Sequence, residues 1–469
     1  MQRVLVVGAS SGGGEVVAGI AKAKDANARV VGVLDRDPGK VGSFVHGVPV
    51  LGTHVDAGSV FVQHEVTECV LAIAEVDAST LDLYVRLANQ YGVTLKIIPS
   101  AERIADSIPL YRQARAINMN ELIGRRSKPL DLARVQAWIA SRPVLVTGAA
   151  GSIGSELTRQ LAEADACLIG VDINENDLHM LSVELDGACA LAPKFCVGDV
   201  EDEIFLKSLI EENRPQVVFH AAANKHVPLL ESHPRRALIN NVLGTLRAAT
   251  LTAQLGGQHF VLISTDKAVA PANVMGASKR FAEKVIRQIS RECPHLRCSI
   301  VRFGNVLGSA GSVYPIFKST FEKERKVRVT SREATRYFMS IPEAASLVLG
   351  AATLPGKCST YILEMGQPVG IGTLAERFLL ANGIPLNLID SHIDEIGLRP
   401  GEKLHEELFY EHERSRLEEH LDGSVLSVSD DDSEFFEVAE VYDDLNSLKR
   451  GVLSADSIFQ KYVPEYSLK

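Results

Sequence analysis

The chain's architecture can be argued outward from the stretch PVLVTGAAGSIG, residues 143–154 of 469. Its apolar, β-branched opening is too short for a helix and predicts a buried strand. The strand stops at Gly148, Gly151 and Gly154, and a helix-like pattern follows. Glycines at such a turn let backbone N–H groups approach a phosphate at the positive end of the helix. The stretch therefore predicts a nucleotide-binding fold.

A second stretch of this kind, RVLVVGASSGGG, begins at Arg3. Gly8, Ser10 and Gly13 fit G-x-S-x-x-G, with Ser at the position of closest backbone approach. No proton-transfer group follows this loop, so the first unit is expected to bind a nucleotide or nothing at all. Strand and helix patterns alternate after both loops, which indicates parallel sheets.

We therefore predict an α/β chain with two Rossmann-like, doubly wound parallel-sheet domains in series. The expected limits are residues 1–118 for the first domain and 119–142 for a helical connector. Residues 143–469 form the second domain, whose sheet is followed by a small C-terminal substrate lobe. The acidic stretch SDDDSEFFEVAEVYDDL at residues 429–445 is expected to be peripheral.

Composition narrows the classes of function. With 46% hydrophobic and 23% charged residues, the chain has the composition of a globular protein, and its net charge of -10 argues against a nucleic-acid partner. No apolar run is long enough to span a bilayer and no leader pattern opens the sequence, so we expect a cytoplasmic protein. Its seven cysteines are odd in number and contain no C-x-x-C pair, which predicts a reduced chain without a metal site.

Residues after the strands of the second domain are predicted to bind a dinucleotide. Asp172 ends the second strand, where a carboxylate accepts ribose hydroxyls and repels a 2′-phosphate, so NAD is favoured over NADP. A capping role is the alternative for Asp172, and helix-on-strand packing is the alternative for the small residues. The predicted cofactor contacts are Gly148, Gly151, Ser152, Ile153, Gly154, Asp172, Asp199, Val200, Ala221, Ala222 and Ala223.

Several of these candidate residues lie within longer motifs. In chain order the motifs are TGAAGSIGSEL, HAAANKHVPLLESHP, STDKAVAPANVMGASKRFAE, RFGNVLGSAGSVYPIF, TRYFMSIPEA and GLRPGEKLHEEL. With these motifs, residues 122–408 resemble the large UDP-N-acetylglucosamine 4,6-dehydratases of bacterial polysaccharide and glycan biosynthesis. These belong to the extended short-chain dehydrogenase/reductase superfamily. Large members usually carry N-terminal membrane helices, which this sequence lacks.

The resemblance implies a lyase that uses NAD without consuming it. Hydride would leave sugar C4, water would be lost across C5 and C6, and hydride would return to C6. By resemblance Lys267 is the C5 base and Asp266 the C6 acid, which requires a neutral amine beside a protonated carboxyl. Thr265 would contact the C4 hydroxyl and Lys279 the nicotinamide ribose. Met275 stands where short-chain dehydrogenases carry a catalytic Tyr. Many of the large dehydratases have Met there, so the C4 proton must leave through Thr265, Asp266 or a water.

Charged and polar residues further along are expected to bind the UDP-sugar. An arginine suits phosphate oxygens and a carboxylate suits ribose hydroxyls. The predicted substrate contacts are Lys225, Asn305, Arg336, Arg399 and Glu402.

Two other functions remain open at this point. A UDP-sugar 4-epimerase would share the fold and NAD but would depend on the missing Tyr, and a non-catalytic sensor of NAD or UDP-sugar would bind without turnover. We also expect a homodimer or higher homo-oligomer, paired through the amphipathic helix pattern at residues 276–293. The same face could instead cover the chain's own sheet.

Overall fold

The computed structural model describes residues 2–22, 28–73, 76–98, 131–140, 142–187, 192–309, 311–429 and 435–466. Most of the predicted connector lies outside these residues; the described part of it contains one helix, Leu132–Ile139. The chain divides into two compact units. Unit 1 comprises Met1–Arg126, Val313–Glu333 and Val369–Gly397, and unit 2 comprises Ser127–Ser312, Ala334–Pro368 and Leu398–Lys469.

This division differs in one respect from the expected domain order. The segments Val313–Glu333 and Val369–Gly397, which we assigned to the second domain from sequence, belong to unit 1. The predicted limits near residues 118 and 143 stay a prediction.

Unit 1 is built on a mostly parallel six-stranded sheet. In strand order the sheet runs β3-β4-β2-β1-β5-β6, with only the β3–β4 pair antiparallel. The order reverses between β1 and β5, as expected for a doubly wound fold. The strands are Gln2–Val7 (β1), Ala28–Leu34 (β2), Phe44–Val45 (β3), Val48–Gly52 (β4), Glu68–Leu71 (β5) and Thr94–Ile97 (β6), and the helices are Ser11–Lys22 (α1), Ala57–Gln63 (α2) and Ala78–Tyr91 (α3).

The later segments of unit 1 are tied to α3 by polar contacts. Asp82 forms an ion pair with Arg377 at 2.6 Å, and the side chain of Asn89 donates to the carbonyl of Ile384 at 2.9 Å. These segments contain the helices Val313–Glu324 and Ile371–Ala381 and a parallel pair of short strands, Val327–Val329 and Ile393–Glu395.

Unit 2 is built on a nine-stranded sheet in the order β14-β15-β13-β12-β11-β10-β7-β8-β9, numbered here in chain order. Strands β7 to β13 are parallel, and β14 and β15 add an antiparallel edge. The strands are Pro143–Thr147 (β7), Cys167–Asp172 (β8), Lys194–Val197 (β9), Val217–His220 (β10), His259–Ile263 (β11), Arg297–Arg302 (β12), Cys358–Leu363 (β13), Leu417–His420 (β14) and Val425–Ser429 (β15).

The strand order of unit 2 reverses between β7 and β10, and a ligand crevice is expected at that point, beyond the carboxyl ends of the strands. The predicted doubly wound α/β fold is thus confirmed. The main helices of unit 2 are Leu132–Ile139 (α4), Ser152–Glu163 (α5), Glu175–Leu185 (α6), Glu203–Asn213 (α7), Gly244–Gln254 (α8), Val274–Glu292 (α9), Ile341–Thr353 (α10), Val438–Lys449 (α11) and Ala455–Tyr462 (α12).

The C-terminal helices cover α9, contrary to the expectation of a peripheral acidic tail. Val441 and Leu445 of α11 are fully buried in the core cluster that also contains Phe281 of α9. Phe281 stacks on Tyr462 of α12 with ring centroids 4.7 Å apart, and Lys284 donates to the Tyr462 carbonyl at 3.0 Å. Only every third or fourth residue of α11 needs to be apolar to bury one face, which an overall acidic composition conceals.

The same packing bears on the expected dimer. The apolar face of α9 is already covered within one chain, so it is not available for pairing with a second copy in this arrangement. Among the described residues, none of the helices has both the length and the hydropathy needed to cross a membrane.

Candidate active site

The glycine loop of unit 2 has the geometry that its sequence predicts. Gly148 has a φ of +70°, and a Cβ there would lie 2.6 Å from the backbone nitrogen of Ala222. A Cβ on Gly154 would lie 1.9 Å from the Gly148 carbonyl oxygen, so no other residue fits without moving the backbone. Gly151 precedes α5 and has no such backbone clash, with 3.2 Å to its nearest neighbour. Gly148 and Gly154 thus pack the turn, whereas Gly151 leaves space beside the helix N-terminus.

These observations fit a dinucleotide at the carboxyl edge of the sheet. The N–H groups of Ser152 and Ile153 lie in the first turn of α5, where the helix itself supplies no acceptors. Asp172 stands beside the loop: its Oδ2 accepts from Ala150 N at 2.9 Å and its Oδ1 from Asn174 N at 2.8 Å. A carboxylate with two oxygens retains lone pairs for ribose hydroxyls after these bonds.

The other predicted cofactor residues line the neighbouring strand ends. Asp199 uses one carboxylate oxygen locally, accepting from Glu201 N at 2.9 Å, and Val200 is buried. Ala221 donates its N–H to the Thr147 carbonyl at 3.0 Å. Ala222 is the residue that Gly148 packs against, and Ala223 follows it along the same loop. Their contacts with a cofactor stay predictions.

A π-helical turn, Leu238–Leu243, fixes the loop that follows β10. The backbone N–H of Asn224 donates to the side chains of Asn240 and Asn241 at 2.9 and 2.8 Å, and Asn241 donates back to the Asn224 carbonyl. Such single-turn π segments occur frequently at functional sites. The predicted substrate contact Lys225 is the next residue in this loop and is exposed.

Unit 1 has a similar glycine turn at the point where its own strand order reverses, between β1 and β5. A Cβ on Gly13 would lie 1.8 Å from the Gly8 carbonyl, and the Asp35 carboxylate accepts from Ala9 N at 2.7 Å. Here, however, Lys40 pairs with that carboxylate at 3.1 Å. Whether unit 1 binds a nucleotide stays open, as it does from sequence.

Thr265, Asp266 and Lys267 follow β11 in a short helical turn, which Asp266 anchors by donating its N–H to the Phe303 carbonyl. Oδ1 of Asp266 accepts from the Thr265 hydroxyl at 2.8 Å and from Lys267 Nζ at 2.9 Å. Oδ2 is buried and has no hydrogen-bond partner among the described residues. Because a buried carboxylate oxygen needs a partner, Oδ2 marks a place for a ligand donor or for a proton.

The surroundings of Lys267 favour its charged form. Its Nζ lies 2.9 Å from Oδ1 of Asn305 and 3.8 Å from Oε1 of Glu406, in addition to Asp266. Burial acts to lower the pKa of Lys267, but the nearby carboxylates of Asp266 and Glu406 outweigh it, and the pKa is raised. The role that the resemblance implies for Lys267 requires a neutral amine, whereas its surroundings favour the ammonium.

Met275 and Lys279 lie one turn apart on α9, and both side chains are buried. Burial lowers the pKa of Lys279 to about 8, and Glu283 offsets this only in part. His220, which sequence reasoning did not single out, ends β10 with its Nδ1 2.8 Å from the Thr147 hydroxyl. Burial, together with the charge of Lys279, lowers the pKa of His220 to about 3, so this imidazole is neutral.

The predicted substrate arginines have different surroundings. Arg336 is buried and donates to the carbonyls of Thr335, Lys403 and Leu404 and to the carboxylate of Glu402. Its guanidinium therefore holds the segment around residue 403, and a contact with phosphate would require these bonds to be exchanged. Arg399 is exposed and donates its backbone N–H to Glu402 at 3.3 Å.

The residue that sequence reasoning missed is Glu406. It lies in the quoted motif GLRPGEKLHEEL, but two successive glutamates there gave no basis for choosing one. In the structure the side chain of Glu406 is 4% exposed and that of Glu407 is 63% exposed. Asn305 was identified, although its contact is with Lys267.

Comparisons with known proteins agree with this geometry. The family model described as "Polysaccharide biosynthesis protein" matches residues 144–427. The chain is 38% identical over 416 residues to the probable polysaccharide biosynthesis protein EpsC of Bacillus subtilis, covering 88% of this chain and 69% of that protein.

Two further relatives carry names of specific reactions. A UDP-glucose 4-epimerase of Rickettsia canadensis is 31% identical over 59% of this chain and 80% of its own length. A UDP-N-acetylglucosamine 4,6-dehydratase (inverting) of Campylobacter jejuni is 30% identical over 56% of this chain and 76% of its own length.

Among solved structures, Pen from Bacillus thuringiensis aligns with a TM-score of 0.57 and 25% identity, covering 66% of this chain and 99% of that one. The family match spans the glycine loop, the Thr265–Lys267 turn and Glu406. The chain belongs to the polysaccharide biosynthesis protein family.

Proposed function

We propose that unit 2 is an NAD-dependent UDP-N-acetylglucosamine 4,6-dehydratase that makes a UDP-4-keto-6-deoxy sugar for a surface polysaccharide or glycan. The observation that carries the proposal is the ion pair of Lys267 with the buried Asp266, whose Oδ2 has no partner among the described residues. By the family resemblance, Met275 stands where short-chain dehydrogenases carry a hydroxyl-bearing Tyr. A dehydratase needs one acid and one base beyond the cofactor, and this pair supplies both. The relative named for this reaction supports the same reading.

The residues that would hold NAD are the Gly148–Gly154 turn, the first turn of α5 and Asp172. When bound, NAD supplies a hydride acceptor for sugar C4 and returns that hydride to C6. Its charge is complemented by the helix N-terminus, whose dipole favours the pyrophosphate. Lys279 on α9 is assigned to the nicotinamide ribose.

The chain's own residues handle the protons. Once C4 is a ketone, the C5 proton is acidic, and neutral Lys267 removes it. The carboxyl of Asp266 gives a proton to the C6 hydroxyl, which leaves as water. These two transfers leave Lys267 as an ammonium and Asp266 as a carboxylate, 2.9 Å apart. When hydride returns to C6, C5 takes a proton from the Lys267 ammonium. The proton released from the C4 hydroxyl, carried by Thr265 or a water, passes to the Asp266 carboxylate and restores the active pair.

A 4-epimerase is the second candidate, because a relative with that name matches unit 2. An epimerase takes the C4 proton with a general base and needs no acid at C6. Met275 has no proton to exchange, and the buried acid of Asp266 would have no task in epimerisation. These two residues favour the dehydratase.

The test is incubation of the purified chain with UDP-N-acetylglucosamine in heavy water, followed by mass spectrometry and proton NMR. A product lighter by one water and carrying deuterium at C5 is expected, and its couplings give the configuration at C5. A 4-epimer of unchanged mass would instead establish the epimerase. Tight binding of NAD and UDP-sugar without any product, while a control dehydratase turns over, would establish a sensor.

A further inference from the structure

A third carboxyl group stands beside the proposed acid and base. Oε1 of Glu406 lies 3.8 Å from Nζ of Lys267, which also contacts Asp266 at 2.9 Å. The side chain of Glu406 is 4% exposed, and within the described part of the chain it makes no hydrogen bond. A buried carboxylate without hydrogen-bond donors is costly, so this group needs either a cation or a proton.

The position of Glu406 is fixed by the segment that carries it. Arg336 donates to the carbonyls of Lys403 and Leu404 at 2.8 and 3.0 Å, and Lys403 Nζ donates to the Val269 carbonyl at 3.1 Å. Further along, the Tyr410 hydroxyl donates to the Ala268 carbonyl at 3.3 Å. Bonds on both sides of Glu406 thus hold this segment against the loop that contains Asp266 and Lys267.

The charges around Glu406 do not balance if every group is ionised. Two carboxylates, Asp266 and Glu406, then share the Lys267 ammonium. Arg336 and Lys403 also face Glu406 and favour its ionised form, but Arg336 is already paired with Glu402. Burial outweighs these cations and, together with the charge of Asp266, raises the pKa of Glu406. Burial and the neighbouring Asp266 carboxylate thus favour the protonated form of Glu406.

The neighbouring titratable side chains leave this balance unchanged. His405 directs its Nδ1 to the Thr335 hydroxyl at 2.8 Å, and Glu407 is exposed beside Lys403. The charges that act on the Lys267 proton are thus those of Asp266 and Glu406, which raise the pKa of Lys267, and that of Arg336, which lowers it.

We propose that Glu406 controls the basicity of Lys267: a neutral Glu406 allows the proton of Lys267 to pass to Asp266, whereas an ionised Glu406 holds Lys267 as the ammonium. The proposal rests on the dehydratase function given above. Glu406 touches neither sugar nor cofactor in this scheme, so it is a positioning residue that acts through Lys267.

The proton count supports this assignment. With Glu406 neutral, the Lys267–Asp266 pair carries no net charge either as ammonium and carboxylate or as amine and carboxylic acid. The transfer between these forms therefore leaves no uncompensated charge in the buried pocket. With Glu406 ionised, the same transfer removes the positive charge 3.8 Å from that carboxylate, which low-dielectric surroundings oppose strongly. Glu406 keeps its own proton throughout the cycle.

The first experiment is the pH profile of kcat for the wild type, Glu406→Gln and Glu407→Gln, with UDP-N-acetylglucosamine as substrate. The wild type should lose activity as pH rises and Glu406 ionises. Glutamine keeps the shape but cannot ionise, so the alkaline limb of Glu406→Gln should move upward by about one pH unit or more. Glu407→Gln, changed at the exposed neighbour, should keep the wild-type limb. An alkaline limb that stays in place in Glu406→Gln would overturn the proposal.

A second measurement does not depend on turnover. Because the pKa of Glu406 is raised in the folded chain above its ordinary value of 4.5, the wild type should lose stability relative to Glu406→Gln as pH rises above that value. Urea unfolding of both proteins over this range should show the difference growing. A constant difference would mean that Glu406 does not titrate in this window and would also overturn the proposal. If the pH-dependent difference appears but the wild type forms no dehydrated product, the dehydratase assignment fails and the protonation of Glu406 stands.

Discussion

Nζ of Lys267 lies 2.9 Å from Oδ1 of Asp266, the residue before it in the chain, and Asp266 is fully buried. Side chains of adjacent residues pair in this way here because both fold back into one pocket from a single helical turn. Removal of either partner therefore affects the charge of the other.

We expect Lys267→Ala and Asp266→Ala each to lower kcat by about 10²-fold or more, the range for loss of a positioned acid or base. The cofactor turn is untouched, so NAD affinity measured by calorimetry should remain. Lys207→Ala, on the exposed face of α7, serves as the control and should retain full activity. Normal turnover in either of the first two variants would remove the acid–base assignment.

Two substitutions in the glycine turn should have different effects, one on the stability of the fold and the other on NAD binding. In Gly154→Ala the new Cβ meets the Gly148 carbonyl at 1.9 Å, so we expect the free energy of unfolding to fall by about 2 kcal/mol or more. In Gly151→Ala the nearest atom is 3.2 Å away, so stability should change by less than about 1 kcal/mol, while the methyl group hinders the pyrophosphate. Denaturant unfolding and NAD titration measure the two effects. Equal stability losses in both variants would contradict this division.

Lys279 should make stability depend on pH in the alkaline range. Its pKa is lowered to about 8 from an ordinary value of 10.5, so the unfolded chain binds the proton more tightly between these values. The contribution of Lys279 to the free energy of unfolding therefore rises as pH increases from 8 toward 10.5. Lys279→Met should be more stable than the wild type near pH 7, by up to about 3 kcal/mol, and the gap should narrow near pH 10.

Urea unfolding at several pH values measures the gap for Lys279→Met. The exposed Lys207→Met is the control and should show a gap that does not change with pH. A gap for Lys279→Met that stays constant or widens toward high pH would contradict the lowered pKa. NAD binding by this variant tests the separate assignment of Lys279 to the nicotinamide ribose.

The stacking of Phe281 on Tyr462 predicts that the C-terminal helices stabilise unit 2. Phe281→Ala removes a fully buried ring and should lower the free energy of unfolding by about 3–5 kcal/mol. Ile204→Ala, at a position 81% exposed, should change it little. Light scattering tests the related point: a stable dimer that survives substitution of Phe281 would have to use a surface other than the covered face of α9.

The sequence predicted those parts of the structure that depend on local pattern. The glycine spacing predicted the turn at Gly148, and the strand alternation predicted the doubly wound sheets, because both follow from backbone geometry within a few residues. The resemblance identified Asp266, Lys267 and Asn305 as site residues, and only the structure shows that Lys267 contacts both of the others. Residues 313–333 belong to unit 1 because of contacts with residues far away in the sequence. A local sequence pattern does not predict such contacts.

The site could be predicted only in part, for a similar reason. Glu406 and Glu407 are adjacent residues of the same type, and only the packing of the folded chain shows that the side chain of Glu406 is the buried one. Arg336 was expected at the substrate, but its donors are taken by carbonyls whose positions depend on the fold of residues 402–404. Likewise, the acidic composition of α11 gave no sign that Val441 and Leu445 lie in the core.

Both units include segments from the later part of the sequence, which the ribosome synthesises last. Unit 1 contains the segment Val369–Gly397, and the core of unit 2 contains α11 and α12 at the chain's end. The hydrophobic core of unit 2 can therefore not close fully while the ribosome is still producing the middle of the protein. A chain that stops before Val438 should therefore leave the core of unit 2 incomplete and should be removed by chaperones and proteases.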